Sequence, residues 1–105
     1  MGFFSMFQKK DQKNKIKEYL EKGAAVIDVR TKEEWDEGHI KGSKHIVLTV
    51  IPLRIDEIKA FEKPIITVCR SGARSGQAQR VLLKNGIDAI NGGPWQNVNQ
   101  IFDLL

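Results

Sequence analysis

Two short runs of apolar, largely β-branched residues, AAVIDV at 24–29 and PIITVC at 64–69, constrain this chain more than any other feature. Neither alternates apolar with polar residues. Each therefore reads as a strand buried on both faces, as in a parallel sheet covered by helices. The segments that follow them agree. Thr31 and Glu34 form a T-x-x-E capping box that opens a short helix ending at Gly38. After Cys69 a Gly/Ser-rich turn leads into a helix marked by Ala78, Val81 and Leu82 and stopped by Asn85-Gly86. Ile16, Tyr19 and Leu20 carry helical spacing up to Gly23, and Ile55, Ile58 and Phe61 mark a further helix beyond Pro52. SKHIVL (43–48) and IDAI (87–90) are the remaining strand candidates, and NGGPWQNVNQIF turns into a terminal helix or coil. Strand and helix alternating with short connections predict an α/β domain around a mainly parallel sheet.

At 105 residues the chain fits one domain, taken as residues 13–105 behind a basic, flexible arm of residues 1–12. Phe3, Phe4 and Phe7 in that arm either pack loosely on the domain or touch a membrane surface weakly. The net charge of +4 arises largely in QKKDQKNKIK, and elsewhere lysines alternate with acids. No basic stripe interleaved with aromatics exists, so a nucleic-acid partner is not expected. No segment approaches the run of about 20 apolar residues that a transmembrane helix needs. The patch in MGFFSMFQKK precedes the basic residues, the reverse of a secretory signal, and Met6 breaks the myristoylation pattern. With a single free cysteine, these features lead to the expectation of a cytoplasmic protein. One cysteine and two histidines make a poor zinc set, so no metal is expected.

Cys69 stands at the carboxyl end of a predicted strand, where open α/β sheets bind ligands. The loop after it, Arg70, Ser71, Gly72, Ala73, Arg74 and Ser75, runs into a helix and can aim successive backbone N–H groups inward. A thiol facing that nest ionises readily; comparable sites lower a thiol pKa from about 8.5 to roughly 3.5–7.5. The competing reading is a small apolar residue ending a core strand. Strand end, Gly/Ser loop, two arginines and a following helix together favour a nucleophile. Neither His39, in a turn, nor His45, in a strand, has a spacing that requires it to act as a catalytic partner.

These residues resemble the rhodanese family in its single-domain form. VIDVRTKEEWDEGHIKGSKHI (26–46) is similar to the family's first motif, IITVCRSGARS (65–75) to its active-site strand and loop, and INGGPWQNV (90–98) to its closing Gly-Gly-and-Trp segment. The resemblance implies a three-layer α/β/α domain with a mainly parallel sheet of four or five strands. The N-terminal strand usual in the family is hard to find before residue 16. It implies a sulfurtransferase in which Cys69 takes the sulfane sulfur of thiosulfate, a polysulfide or a persulfide, holds it as a persulfide, and yields it to a thiol, to cyanide or to a protein acceptor. No cofactor is implied. Residues Arg70 to Ser75 would cradle the persulfide, with Arg70 and Arg74 drawing in the anionic donor. Asp28 and Arg30 match the family's Asp-x-Arg and would brace the loop; His39 carries over only as a structural residue. Trp95 follows Gly93 after the single residue Pro94, a shorter spacing than the family's, which leaves it between pocket wall and core. Two alternatives remain: a sulfur carrier or interaction module without rapid turnover, and a phosphatase or arsenate reductase on the same scaffold. The latter resemble C-x5-R, whereas Arg74 gives C-x4-R here and Val68 precedes the cysteine.

Overall fold

The computed structural model describes residues 2–105. Helix α1 spans Gly2–Glu21, so backbone in the expected arm is helical from Gly2. Side chains before residue 10 lie outside the described residues, and with them the roles weighed for Phe3, Phe4 and Phe7. The chain continues through β1 (Ala25–Asp28), α2 (Lys32–Glu37), β2 (Lys44–His45), a 3-10 segment at Leu48–Leu53, α3 (Ile55–Lys59), β3 (Ile65–Cys69), α4 (Ala73–Lys84), β4 (Ala89–Pro94) and α5 (Trp95–Asp103). The strands form one four-stranded, all-parallel sheet in the order β2-β1-β3-β4.

Both faces of the sheet are covered, as the apolar runs required. Along β1 and β3 successive side chains alternate between two cores. Ile27, Ile65 and Cys69 join Ala78 and Leu82 of α4, Ile58 of α3 and Ile51 of the 3-10 segment. Val26, Ile66 and Val68 join Ile16 and Tyr19 of α1 and Val98 of α5. The fold is therefore three-layered, and Cys69 faces the α4 side.

Two strand boundaries differ from expectation. The strand expected at 43–48 keeps ladder pairing only at Lys44–His45. Ile46 and Leu48 still donate N–H bonds to the carbonyls of Asp28 and Val29 before the chain turns into the 3-10 segment. The last strand, expected at 87–90, instead runs Ala89–Pro94 and includes the Asn-Gly-Gly placed at the start of the terminal helix or coil. A register shift after Thr67 lets it do so: Thr67 pairs with Asn91 and Val68 with Gly93, leaving Gly92 bulged between them. Only glycine fits there. A Cβ on Gly92 would stand 2.7 Å from methyl carbons of both Ile66 and Val98 and 2.9 Å from the Thr67 carbonyl oxygen.

Candidate functional site at the Cys69 loop

β3 ends at Cys69, and α4 begins four residues later at Ala73. Gly72 occupies the N-cap of α4 at φ 104°, a conformation that favours glycine, and no side chain caps the helix. The first N–H groups of α4 are thus free of side-chain acceptors, and the turn brings them over the thiol. Cys69 Sγ accepts the Gly72 N–H at 2.9 Å and lies 3.2 Å from Ser75 Oγ. The residue has no exposed surface. Burial pushes the thiol up, but the Ser75 hydroxyl, when its proton is turned to the sulfur, and the N–H groups of Ser75, Gly72 and Ser71 outweigh it. Together they hold the thiol below its ordinary pKa. Buried Ser75 is the loop side chain hydrogen-bonded to the sulfur; Ser71 and Ala73 are exposed, and Ser71 contributes its N–H.

The two arginines, expected to act alike, have different surroundings. Arg74 makes a two-pronged ion pair with Glu34 of α2, at 2.7 and 2.9 Å. The Arg74 guanidinium, seconded by the Thr31 N–H, brings the Glu34 carboxyl down to about 2. Glu34 in turn raises the arginine pKa, with the Cys69 and Asp28 charges acting in the same direction. Arg70 is exposed, enters no ion pair among the described residues, and lines a cleft of about 300 Å³ with Arg30, Glu34, Glu37, Gly38, Trp95 and Gln96.

Asp28 and Arg30 are buried together, not a surface pair. The carboxylate accepts Arg30 Nε at 2.9 Å and Nη2 at 2.7 Å. The guanidinium also donates to the carbonyls of Glu34 at 3.1 Å and Gly38 at 2.7 Å, pinning the first turn and the C-cap of α2 to the end of β1. The brace therefore reaches the Cys69 loop through Glu34 and Arg74. Trp95 packs against the core between α1 and α5, and its ring lies 5.1 Å from the Arg30 guanidinium in the wall of the cleft. His39 bonds the Trp35 carbonyl at 2.8 Å and His45 the Arg30 carbonyl at 2.7 Å; both rings stack on Trp35.

Three residues at the site escaped the sequence reading. Glu34 was visible only as half of a capping box. Asn91 was absorbed into the segment expected to become a terminal helix or coil, yet its amide bonds Ser75 and Gly72 from β4, the strand next to β3. Buried Thr67 donates to the carbonyl of Ser75 at 2.8 Å. A hydroxyl inside an otherwise apolar strand was the available signal, since it must find a partner.

Cys69 thus ends a parallel strand of an α/β domain with its sulfur under backbone donors at the start of α4. The family profile described as "Rhodanese-like domain" matches residues 12–97, and the chain belongs to that family. It is 35% identical over 65 residues to the "Putative sulfur carrier protein YrkF" of Bacillus subtilis, a match covering 62% of this chain and 35% of that one. It is 32% identical to the "Thiosulfate sulfurtransferase GlpE" of Pseudomonas paraeruginosa, over 74% of each chain. Among solved structures, "rhodanese with anions from E. coli" superposes with a TM-score of 0.63 at 28% identity, covering 70% of this chain and 89% of that one. Three curated relatives are matched over only 52%, 35% and 60% of their own lengths. Among the described residues no helix is long and apolar enough to cross a membrane.

Proposed function

We propose that this protein is a sulfurtransferase that moves sulfane sulfur from thiosulfate, or from a polysulfide or persulfide, to a thiol or cyanide through a persulfide on Cys69. The observation that carries this is the buried Cys69 sulfur beneath the uncapped start of α4, with the Gly72 N–H at 2.9 Å. Such donors stabilise a thiolate and then the negative outer sulfur of a persulfide. The Cys69 thiolate attacks the outer sulfur of thiosulfate, an S–S bond forms, and the original S–S bond breaks with its electron pair leaving on sulfite. The acceptor thiolate or cyanide then attacks the outer sulfur, and Cys69 departs as thiolate. Leaving groups of low pKa need little acid assistance, which suits a site without an adjacent histidine base. Arg70, exposed at the cleft, attracts the donor anion; Arg74, held by Glu34, fixes the loop and adds to the positive field.

Intact-mass measurement after thiosulfate treatment tests this. One added sulfur atom, removed by cyanide or dithiothreitol and absent in Cys69→Ser, is expected. Thiocyanate turnover at the wild-type rate in Cys69→Ser would overturn it. The relative named a putative sulfur carrier supports a second reading, in which loading is efficient but small acceptors discharge the persulfide slowly. A panel of protein and small thiols separates the two. Phosphate-ester hydrolysis is not expected, because the C-x4-R loop has one residue fewer than C-x5-R and Arg74 is already paired.

A further inference from the structure

Ser75 Oγ has one proton and three acceptors around it. It lies 2.6 Å from Asn91 Oδ1, 3.2 Å from the Gly72 carbonyl oxygen and 3.2 Å from Cys69 Sγ. The orientation of the Asn91 amide follows from its other partners. Oδ1 accepts the Gly93 N–H at 2.9 Å, and Nδ2 donates to the Gly72 carbonyl at 3.0 Å. A backbone N–H can only donate and a carbonyl can only accept, so an amide turned the other way would lose both bonds. The oxygen that faces Ser75 is therefore an acceptor, and at 2.6 Å it holds the hydroxyl proton. Ser75 then presents a lone pair to the sulfur. A thiol S–H can donate to that lone pair; a thiolate cannot. An ionised Cys69 gains a bond from Ser75 only if the hydroxyl leaves Asn91 and turns its proton toward the sulfur, 3.2 Å from Oγ.

We propose that Asn91 is a positioning residue that holds the Ser75 hydroxyl proton away from Cys69, so that Ser75 faces the resting thiol as an acceptor and opposes its ionisation. The loop N–H groups pull the other way, and the thiol settles between the two. The consequence for sulfur transfer rests on the proposed function: a thiolate loses nucleophilicity as its pKa falls, and attack is fastest when the pKa lies near ambient pH. Asn91 would keep the N–H nest from making the thiolate too stable to attack. The hydroxyl geometry itself does not depend on that role. The charged groups around the thiol stay in place when Asn91 is changed: Arg70 and Arg74 on the loop and α4, Asp28 and Arg30 at the end of β1, and Glu34 on α2. Arg80 of α4 lies beside Gly76 near the Asn91 amide, and from α1 Lys10 and Lys13 line the groove beside Gly92 and Gly93.

Because Cys69 is the sole cysteine, thiolate absorbance or alkylation rate against pH reads its ionisation directly, whether or not sulfur is transferred. Asn91→Ala should make Cys69 more acidic, by about three- to tenfold in its dissociation constant, the scale of one hydrogen bond gained by the thiolate. In a Ser75→Ala background the same substitution should change nothing. A residue that only braced the Gly72 carbonyl would give the opposite sign, because a loosened loop misaligns its N–H donors. An Asn91→Ala thiol that is less acidic or unchanged overturns the proposal, and so does a shift that persists without Ser75. Infrared spectroscopy of the unsubstituted protein keeps the proposal testable should Asn91→Ala fail to fold. The single S–H stretch should carry the lowered frequency of a donor to oxygen, reverting in Ser75→Ala; a free-thiol band in the unsubstituted protein would overturn it. Failure to load sulfur, with these readouts as expected, would count against the proposed function and not against Asn91.

Discussion

β1–α2 and β3–α4 are neighbouring copies of one unit, a parallel strand that ends in a turn and starts a helix. Asp28 and Val68 stand opposite each other in register. The helix starts differ completely. At α2 the Thr31 hydroxyl accepts the Glu34 N–H, and the Glu34 carboxylate accepts the Thr31 N–H. At α4 the cap is Gly72, which has no side chain to offer, and its N–H points at sulfur. Every helix start leaves backbone donors without intrahelical partners. In α2 side chains of the same segment satisfy them and the corner is structural. In α4 no side chain caps them, and the Gly72 N–H turns to the Cys69 sulfur, the arrangement that the proposed chemistry needs. The capped corner also supports the uncapped one, since Glu34 closes the box and holds Arg74 as well.

The largest stability effect is expected from breaking the structural corner. Asp28→Ala strips the partner from a guanidinium that is only 4% exposed, and removing one member of a buried pair costs about 3–5 kcal/mol. Denaturant unfolding measures it, and a loss below about 1 kcal/mol would show that the pair does not hold the corner.

Gly72→Ala attacks the uncapped start. A Cβ would have room, 3.5 Å from the Gly93 Cα, so the penalty comes from φ at 104°. It amounts to about 1–3 kcal/mol, and sulfur loading should fall as the Gly72 N–H moves off Sγ. Unchanged loading would mean that this N–H does not matter to the thiol.

Thr31→Ala removes the cap of α2 and should cost about 1 kcal/mol in urea unfolding. The Cys69 titration should not move, because the Glu34 carboxylate keeps its two bonds to Arg74 without the cap. A shifted thiol would show that the two corners are less separable than their caps imply.

The smallest effect is in acid. Glu34 titrates at about 2, against an ordinary 4.5, chiefly because Arg74 bonds it and secondarily because the Thr31 N–H does. A carboxyl lowered in the folded state adds stability that is complete above 4.5 and lost as pH falls toward 2. Both partners are partly exposed, so solvent limits the contribution to about 1 kcal/mol or less. Urea titrations should show Glu34→Gln with a flatter pH dependence across that window; an unchanged slope would mean that the ion pair is not maintained in solution.

Much of this comparison was legible in the sequence because each corner's signal is local. Thr31 and Glu34 are three residues apart, and a capping box spans that distance. The apolar runs ending at Val29 and Cys69 placed both strand ends, and Gly72 after the cysteine announced an open turn. The errors arose where a local signal had a second meaning. Asn91-Gly92-Gly93 carries turn chemistry, but bulged strands also use glycine, and packing against Ile66 and Val98 decided for the bulge. SKHIVL reads as a strand, but an edge strand has one neighbour, and its pairing ended after His45.

The sequence by itself determined that this chain is a parallel α/β domain with its one cysteine at a strand end, since periodicity, capping and turn residues act over a few positions. Only the tertiary structure decided how the surrounding polar groups are divided. Arg74 is bound to Glu34, 40 residues away, while Arg70 stays exposed at the cleft. The Ser75 proton goes to Asn91, 16 residues on, because a shifted register between β3 and β4 sets that amide beside the loop. A hydrogen bond is a matter of a few tenths of an ångström, and no spacing along the chain specifies distances between strands.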